Sequence, residues 1–342
     1  MPKSRVRLKL FAHWTGASDS NTIFIAVGKK IFITGMSGYL AGNLCRELDR
    51  SDWCEKFYGM DVKKPLAKYD KGEFRQMDIN DPALVDWVRE LKPDIFIHLA
   101  YVVEEMHDHA LMHHINFDGS RNALAAAEAG QLSQVLVASS GTAYGAWPDN
   151  PAALKEDHAL RANPGFIYAV DKVKVEDLCQ ELVKKHPGVI MTIIRPCVVY
   201  GPRVDNYISK LLDHFLILGL AGKNPPLQFV HEDDVARAII HLLEKGCAGA
   251  FNLAPGDTIT MEEIYALSRK PTILFPDWFL TPMVALQWAL HIPWLNFSTA
   301  FLDYIRYPWV MDNSKLLATG FKFRYSSAET VEIMLRAKGW LP

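Results

Sequence analysis

The chain is short of cysteine, has no long apolar run and shows no excess of one charge, and each shortage removes a class of protein. Its five cysteines, Cys45, Cys54, Cys179, Cys197 and Cys247, are scattered over 342 residues without a C-x-x-C pair. An odd number at such spacings excludes a disulfide scaffold and a zinc knuckle, and it suits a reducing cytosol, so a cytoplasmic protein is expected. No stretch of about 18 uncharged apolar residues occurs, which predicts no transmembrane segment. Basic and acidic residues nearly balance at 37 and 39, so no global field favours nucleic acid as a partner. Internal repeats and low-complexity tracts are also missing.

What is present is apolar material, 49% of the residues, enough for one large α/β domain or two that share a core. Residues 1–29 stand apart. Lys3, Arg5, Arg7 and Lys9 precede an aromatic patch and a polar stretch, without the apolar centre or cleavage site of a signal peptide. They read as a disordered N-terminal extension. From Lys30 onward, short apolar runs alternate with helical stretches, the pattern of a Rossmann-type doubly wound parallel sheet. Strands are predicted over 30–34, 56–60, 73–77, 94–99, 134–139 and 189–195. These runs are rich in Ile, Val and Phe and mostly lack alternation, as strands buried on both faces do. Helices are predicted over 82–91, with Asp81 as N-cap and Pro82 as first residue, and over 116–129 and 168–185. The dinucleotide domain spans 30–200, with 228–246 packing back on it. Residues 201–227 and 247–342 form a smaller C-terminal substrate domain over the sheet's C-terminal edge, where open α/β sheets bind ligands. Within it a helix is expected over about 207–220, and another from Thr281 as N-cap and Pro282 through Ile292.

The first strand runs into Thr34-Gly35-Met36-Ser37-Gly38-Tyr39-Leu40-Ala41-Gly42. Gly35 permits a tight turn and Gly38 a close backbone approach to a pyrophosphate. The N–H groups and dipole of the helix that follows attract that anion. Ala41 stands where a third glycine is usual, at a position that needs only a small residue. Asp61 ends the second strand, in range to accept hydrogen bonds from an adenosine ribose. Its charge would repel a 2′-phosphate, which favours NAD over NADP as cofactor. Asp78 closes the third strand and either reaches the adenine or caps the next turn.

Tyr168 and Lys172 are four residues apart, on one face of a helix. A phenol with its ordinary pKa of about 10 is a poor base at neutral pH, and a neighbouring ammonium favours the phenolate. Tyr168 can then exchange an alcohol proton while hydride moves. Ser140, at the end of the fifth strand, would hydrogen-bond the same oxygen.

Taken in order, these motifs resemble the extended short-chain dehydrogenase/reductases of the NAD-dependent epimerase/dehydratase family. The matching residues are Thr34-Gly35-x-x-Gly38-x-x-Ala41, His98-Leu99-Ala100, Asn116, Ser139-Ser140, Tyr168-x-x-x-Lys172, Arg195-Pro196, Val199-Tyr200-Gly201-Pro202 and Phe229-Val230-His231-x-x-Asp234. Phe251-Asn252-Leu253 extends the match. The resemblance implies catalysis by Ser140, Tyr168 and Lys172, with Asn116 positioning the active-site helix and Lys172. It implies that NAD lies along Gly35, Ser37, Gly38, Tyr39 and Leu40, with Asp61, Asp78 and Ile79 at its adenosine end. Leu99, Ala100, Tyr101, Asn116, Tyr168, Lys172, Pro196 and Val198 would complete the binding surface, with Pro196 and Cys197 beside the carboxamide. Such folds often dimerise through helices corresponding to 110–129 and 168–186, so a homodimer is expected.

One departure bears on substrate. Family members that act on nucleotide sugars carry an Arg just before the Phe-Val-His stretch, to hold the diphosphate. Here the stretch reads Pro226-Leu227-Gln228, leaving Arg203 or Lys223 to take that place. Ten aromatics crowd 273–309: Phe275, Trp278, Phe279, Trp288, Trp294, Phe297, Phe301, Tyr304, Tyr307 and Trp309. They read as a domain core or subunit interface, or else as an apolar substrate chamber or a membrane-touching patch. Glu105, His109 and His113 share helical i, i+4 spacing with His107 and His114 nearby. A polar helix face is the expectation, and no metal is needed for the chemistry. The sequence thus predicts an NAD-dependent oxidoreductase or epimerase acting on a secondary alcohol or ketone, such as a sugar derivative. The alternatives are an enzyme of an apolar, sterol- or lipid-like alcohol, or a dinucleotide-binding protein without chemistry, against which the intact Ser140, Tyr168 and Lys172 argue.

Overall fold

The computed structural model describes residues 28–204, 209–210, 214, 216–292 and 297–341. The first 27 residues, the expected helix start at Tyr207, and Trp294 lie outside them. Seven strands form one parallel sheet: β1 (Lys29–Thr34), β2 (Cys54–Asp61), β3 (Gly72–Gln76), β4 (Ile95–His98), β5 (Gln134–Ala138), β6 (Ile190–Pro196) and β7 (Gly249–Leu253). Their order is β7-β6-β5-β4-β1-β2-β3. Every pairing is parallel. The direction of winding reverses between β1 and β4, and the crevice at the C-terminal ends of those two strands is where such sheets take ligands.

The lack of alternation in the strands has the expected cause. In β1, Ile31 and Ile33 enter the core on one face and Phe32 enters the core on the other, all fully buried. Phe32 stacks on Phe96 of β4 at 5.4 Å and meets Trp87 edge-on at 4.9 Å. On one face α1 (Tyr39–Arg50) packs beside the later helix Glu232–Glu244. On the other lie α2 (Ala83–Leu91), α3 (Gly119–Ala129) and α4 (Ile167–Lys185). Glu232–Glu244 is α5, and it returns the chain to the sheet after a detour outside it. One π-helical turn, His114–Asp118, leads into α3.

Three details differ from the sequence reading. β7 was not marked as a strand, yet it adds to the sheet beside β6. Residues 217–220 form a strand paired with Thr272–Phe275, not the end of a helix. A Cβ on Gly219 would lie 2.6 Å from Leu274, so close strand contact depends on this glycine and overrides the apolar run around it. The helix expected from Thr281 begins at Asp277, ends at Ala289 and carries Pro282 inside. Leu280, Val284 and Gln287 share its buried face, and their burial extends the helix back past the proline.

The helix that carries the candidate catalytic pair is tied to the sheet by a buried ion pair. Arg195 of β6 donates to both oxygens of Glu176 on α4, at 2.9 and 2.6 Å, with exposures of 6% and 1%. Removing one partner of such a pair strands a buried charge and costs about 3–5 kcal/mol. Glu176→Gln should lower stability to urea by that amount. A loss below about 1 kcal/mol would show that water or a neighbour neutralises Arg195 instead.

Candidate active site

The turn after β1 is built around Gly35, whose φ is +74°. A Cβ there would sit 2.5 Å from the backbone nitrogen of Ala100, so the two strand ends can meet only at a glycine. The N-terminus of α1 has no side-chain cap and no acid in its first turn. Its N–H groups therefore remain available to an anion. Gly35, Gly38, Tyr39, Leu40 and Ala41 all line a cleft of about 430 Å³. An uncapped helix start behind a glycine turn, opening into a cleft, fits a dinucleotide pyrophosphate.

Asp61 lies beside this turn. Its carboxylate accepts from the backbone N–H of Ser37 and of Lys63, both at 3.1 Å. Ser37 in turn donates its hydroxyl to the Lys63 carbonyl at 2.5 Å. Asp78 is exposed and accepts from the Asn80 N–H at 2.8 Å, the local turn that was one of its two readings. Ile79 is buried against Gly119, where a Cβ would clash with it. Leu99 continues β4 by donating to the Thr34 carbonyl at 3.2 Å. Leu99, Tyr101, Pro196, Cys197 and Val198 line the cleft, whereas Ser37, Asp61, Ala100 and Asn116 stand behind or beside its wall.

A buried hydrogen-bond chain sets the strand ends. Ser120 donates to the Asn116 carbonyl at 2.6 Å, so it accepts from His98 Nε2 at 2.8 Å. That tautomer leaves His98 Nδ1 to accept from the Thr34 hydroxyl at 2.7 Å. Burial holds the imidazole down to about 3, neutral at any working pH. The His98-Leu99-Ala100 motif flagged this position, but its partner Ser120 carried no sequence signal.

Ser140, Tyr168 and Lys172 come together in the cleft. Ser140 caps the short turn Gly141–Tyr144 and accepts from the Thr142 N–H and hydroxyl. Enclosure pushes the Tyr168 phenol up to about 12, while a hydrogen bond with Ser140 pulls it back. Lys172 is buried, and burial brings its amine down to about 7 against the opposing pull of Glu176. Its Nζ donates to the Ala138 carbonyl at 2.6 Å and sits 3.3 Å from the centre of the Tyr101 ring. Asn116 does not reach Lys172 directly. Its side chain brackets Val102, accepting from its N–H at 2.7 Å and donating to its carbonyl at 3.0 Å. It thereby holds the loop whose Tyr101 faces the amine.

Sequence reading missed two supports of the site. The Asp171 carboxylate, within α4, is buried and bound by His113 at 2.6 Å. Glu176 is two turns beyond Tyr168 on the same helix, and Ser139 donates to it at 2.5 Å. The spacing Tyr168, Lys172, Glu176 was the available signal.

The far wall of the cleft comes from the C-terminal lobe: Leu227, Met261, Ile264, Phe301, Tyr304 and Trp309. Tyr304 donates to the Thr142 carbonyl at 2.8 Å and Trp309 to the Tyr304 carbonyl at 3.1 Å, which pins the lobe onto the Ser140 turn. The aromatic segment therefore divides: Phe297, Phe301, Tyr304 and Trp309 are buried, while Trp278 and Phe279 face solvent. Among the described residues, Lys172 is the one cation lining the cleft. Arg203 is held by Asn43, Glu232 and Asp233, and Lys223 lies 5.7 Å from the Tyr307 ring. Glu105, His109 and His113 do not share a helix face, because the helix starts at His109. Glu105 instead accepts from the Ser298 N–H at 2.8 Å, and His107 stacks on Trp288 at 3.8 Å. Among the described residues no group of three or more His, Cys, Asp or Glu gathers to hold a metal.

Comparison with known proteins gives the family and the fold. The profile of the NAD dependent epimerase/dehydratase family matches residues 31–254. An uncharacterized protein of Mycobacterium tuberculosis is 23% identical over 322 residues, covering 92% of this chain and 85% of its own. Among solved structures, the UDP-glucuronic acid 4-epimerase of Bacillus cereus in complex with NAD is 18% identical, with a TM-score of 0.71, covering 91% of this chain and 98% of that one. The dTDP-glucose 4,6-dehydratase of Bacillus anthracis in complex with NAD is 14% identical, with a TM-score of 0.72, covering 91% and 97%. At such identities the likeness to both is one of fold.

Asp61 is expected from the sequence to meet the adenosine ribose, and the cofactor preference tests that role. Binding titrations should favour NAD(H) over NADP(H), and Asp61→Ala should narrow the gap by removing an acceptor and a repelling charge. Equal or tighter binding of the phosphorylated form by the unaltered protein would rule out this role.

Proposed function

The chain belongs to the NAD-dependent epimerase/dehydratase family, and on that premise we propose that it interconverts a secondary alcohol and its ketone at the Ser140–Tyr168–Lys172 site. NAD, the cofactor of the family, supplies the hydride acceptor and donor. Tyr168 takes the hydroxyl proton of the substrate as its phenolate and returns it in the reverse direction. Ser140 donates a hydrogen bond to the same oxygen and orients it. Lys172 in its ammonium form lowers the cost of the phenolate, and the Tyr101 ring and Ala138 carbonyl hold that amine in place. Pro196 and Val198 line the same cleft. The observation that carries the reading is the gathering of these three side chains in one cleft with the uncapped start of α1. The five free cysteines support a reducing, cytoplasmic setting, and the faces of α3 and α4 are the proposed pairing surface of a homodimer.

The substrate reading follows from the wall facing that site. A diphosphate needs charge-assisted hydrogen bonds, usually from Arg. The wall is made of Leu227, Phe229, Met261, Ile264, Phe301 and Trp309. Residues 205–208, 211–213, 215 and 293–296 contain no Lys or Arg. An alcohol with an apolar body and few polar anchors suits this wall better than a nucleotide sugar. The second reading, a nucleotide sugar, is supported by the family and by what the solved UDP- and dTDP-sugar enzymes are named for.

Tyr168→Phe should reduce turnover about 10²- to 10⁴-fold and leave NAD affinity nearly unchanged. Near-normal rates on a true substrate would overturn the mechanism. Calorimetry of the NAD-loaded protein with UDP or dTDP should show no binding. Micromolar binding would return the nucleotide-sugar reading to first place.

A further inference from the structure

The most apolar part of the surface lies on the lobe that closes the cleft. From Trp278 to Leu290 no residue carries a charge. The helix Asp277–Ala289 buries Leu280, Val284 and Gln287 inward. Its outward face is apolar as well: Trp278 is 77% exposed, Leu286 61% and Leu290 60%, with Phe279 and Ile292 also exposed. Ile273 and Leu274, on the strand just before it, extend the patch. Asp277, the one acid of the helix, is turned to Arg306 at 2.6 Å and Thr281 at 2.6 Å. A helix that is apolar on both faces belongs against an apolar partner.

We propose that this face docks on an anionic lipid surface. Protein interfaces carry about one hydrogen bond per 100–200 Å² and a polar rim that fixes register. The outward side chains here offer little beyond the indole N–H of Trp278, an amphipathic ring suited to a lipid headgroup boundary. Charge at the edge of the patch has the matching sign. Arg269, exposed, stands just ahead of the strand Thr272–Phe275, whereas the Lys270 ammonium is taken up by the His214 carbonyl at 3.1 Å and the Trp340 ring. Lys223 lies close enough to Asp277 to pull its carboxyl down. Glu262 and Glu263 stand at the opposite end of the helix Met261–Ser268 from Arg269.

The helix lies on the surface and does not cross it. Its 13 residues span about 20 Å, short of a hydrocarbon core of about 30 Å. Among the described residues no helix is long and apolar enough to cross a membrane. Its inner face packs on the turn Thr299–Leu302, whose Phe301 lines the cleft, so the docked protein turns the apolar wall of the cleft toward the lipid. The surface does not depend on the chemistry assigned to the cleft.

The test is flotation of the full chain with phosphatidylcholine vesicles, with and without phosphatidylglycerol. The protein should float with the anionic vesicles, less so at high salt. The double variant Trp278→Glu, Leu286→Glu should float about tenfold less while binding NAD as before. Unchanged NAD binding shows that the variant is folded. Failure of the unaltered chain to float, or equal flotation of the variant, would overturn the proposal. So would a variant that turns a sedimenting dimer into a monomer, because a second copy of the chain would then be what covers this face.

Discussion

The arrangement of the site depends on the buried pair of Glu176 and Arg195. Arg195 sits on β6 and reaches across to α4 with two short bonds, and its remaining hydrogens go to the Tyr144 hydroxyl at 2.6 Å and the Glu156 carbonyl at 3.1 Å. Ser139 donates to the same Glu176 oxygen. One guanidinium therefore sets α4, the end of β5 and the turn that holds Ser140 in a common frame. Tyr168 and Lys172 stand two turns and one turn earlier on α4, so their distance from Ser140 follows from where Glu176 is anchored. Such a pair is costly to bury, and nothing in its energetics favours it over apolar packing. What it supplies here is direction, since a bidentate fork fixes rotation of the helix as greasy contact does not.

Low dielectric then does opposite things to neighbouring groups. The Tyr168 phenol is driven up to about 12 and the Lys172 amine down to about 7, both because burial disfavours charge. Glu176 acts against the second effect from the next turn of the helix. The carboxylate that orients α4 thus also favours the ammonium form of Lys172. His98 shows the same physics, kept neutral first by burial and then by the charge of Lys172, and it joins Thr34 to Ser120.

The C-terminal lobe is attached differently. Tyr304 joins it to the Ser140 turn through the Thr142 carbonyl, and Trp309 braces Tyr304 by donating to the Tyr304 carbonyl. Asn252 of β7 ties the Tyr144 hydroxyl and the carbonyls of Leu154 and Asp312 together. These contacts are directional but uncharged, and the wall they hold is apolar. Arg203 is drawn away from the cleft by Asn43, Glu232 and Asp233, where its charge is already matched.

The sequence by itself determined the family, the first six strands and three of the side chains, Ser140, Tyr168 and Lys172, that gather in the cleft. Each of these is encoded locally: a glycine turn after an apolar run, an i, i+4 Tyr–Lys pair, an acid at a strand end. The hydrogen bonds that Asp61 accepts from the Ser37 and Lys63 N–H groups were not part of that local signal. Only the tertiary structure decided which distant groups meet. Glu176 and Arg195 are 19 residues apart, Tyr304 and Thr142 162 apart, and no local pattern links them. It also decided that 217–220 is a strand and that the helix at 277 runs through a proline, because partner strands and buried side chains outweigh propensities worth about 1–3 kcal/mol. The aromatic segment divided for a related reason. Composition states how much apolar surface a stretch carries, whereas which part turns to the cleft and which to the outside is settled by the elements packed against it.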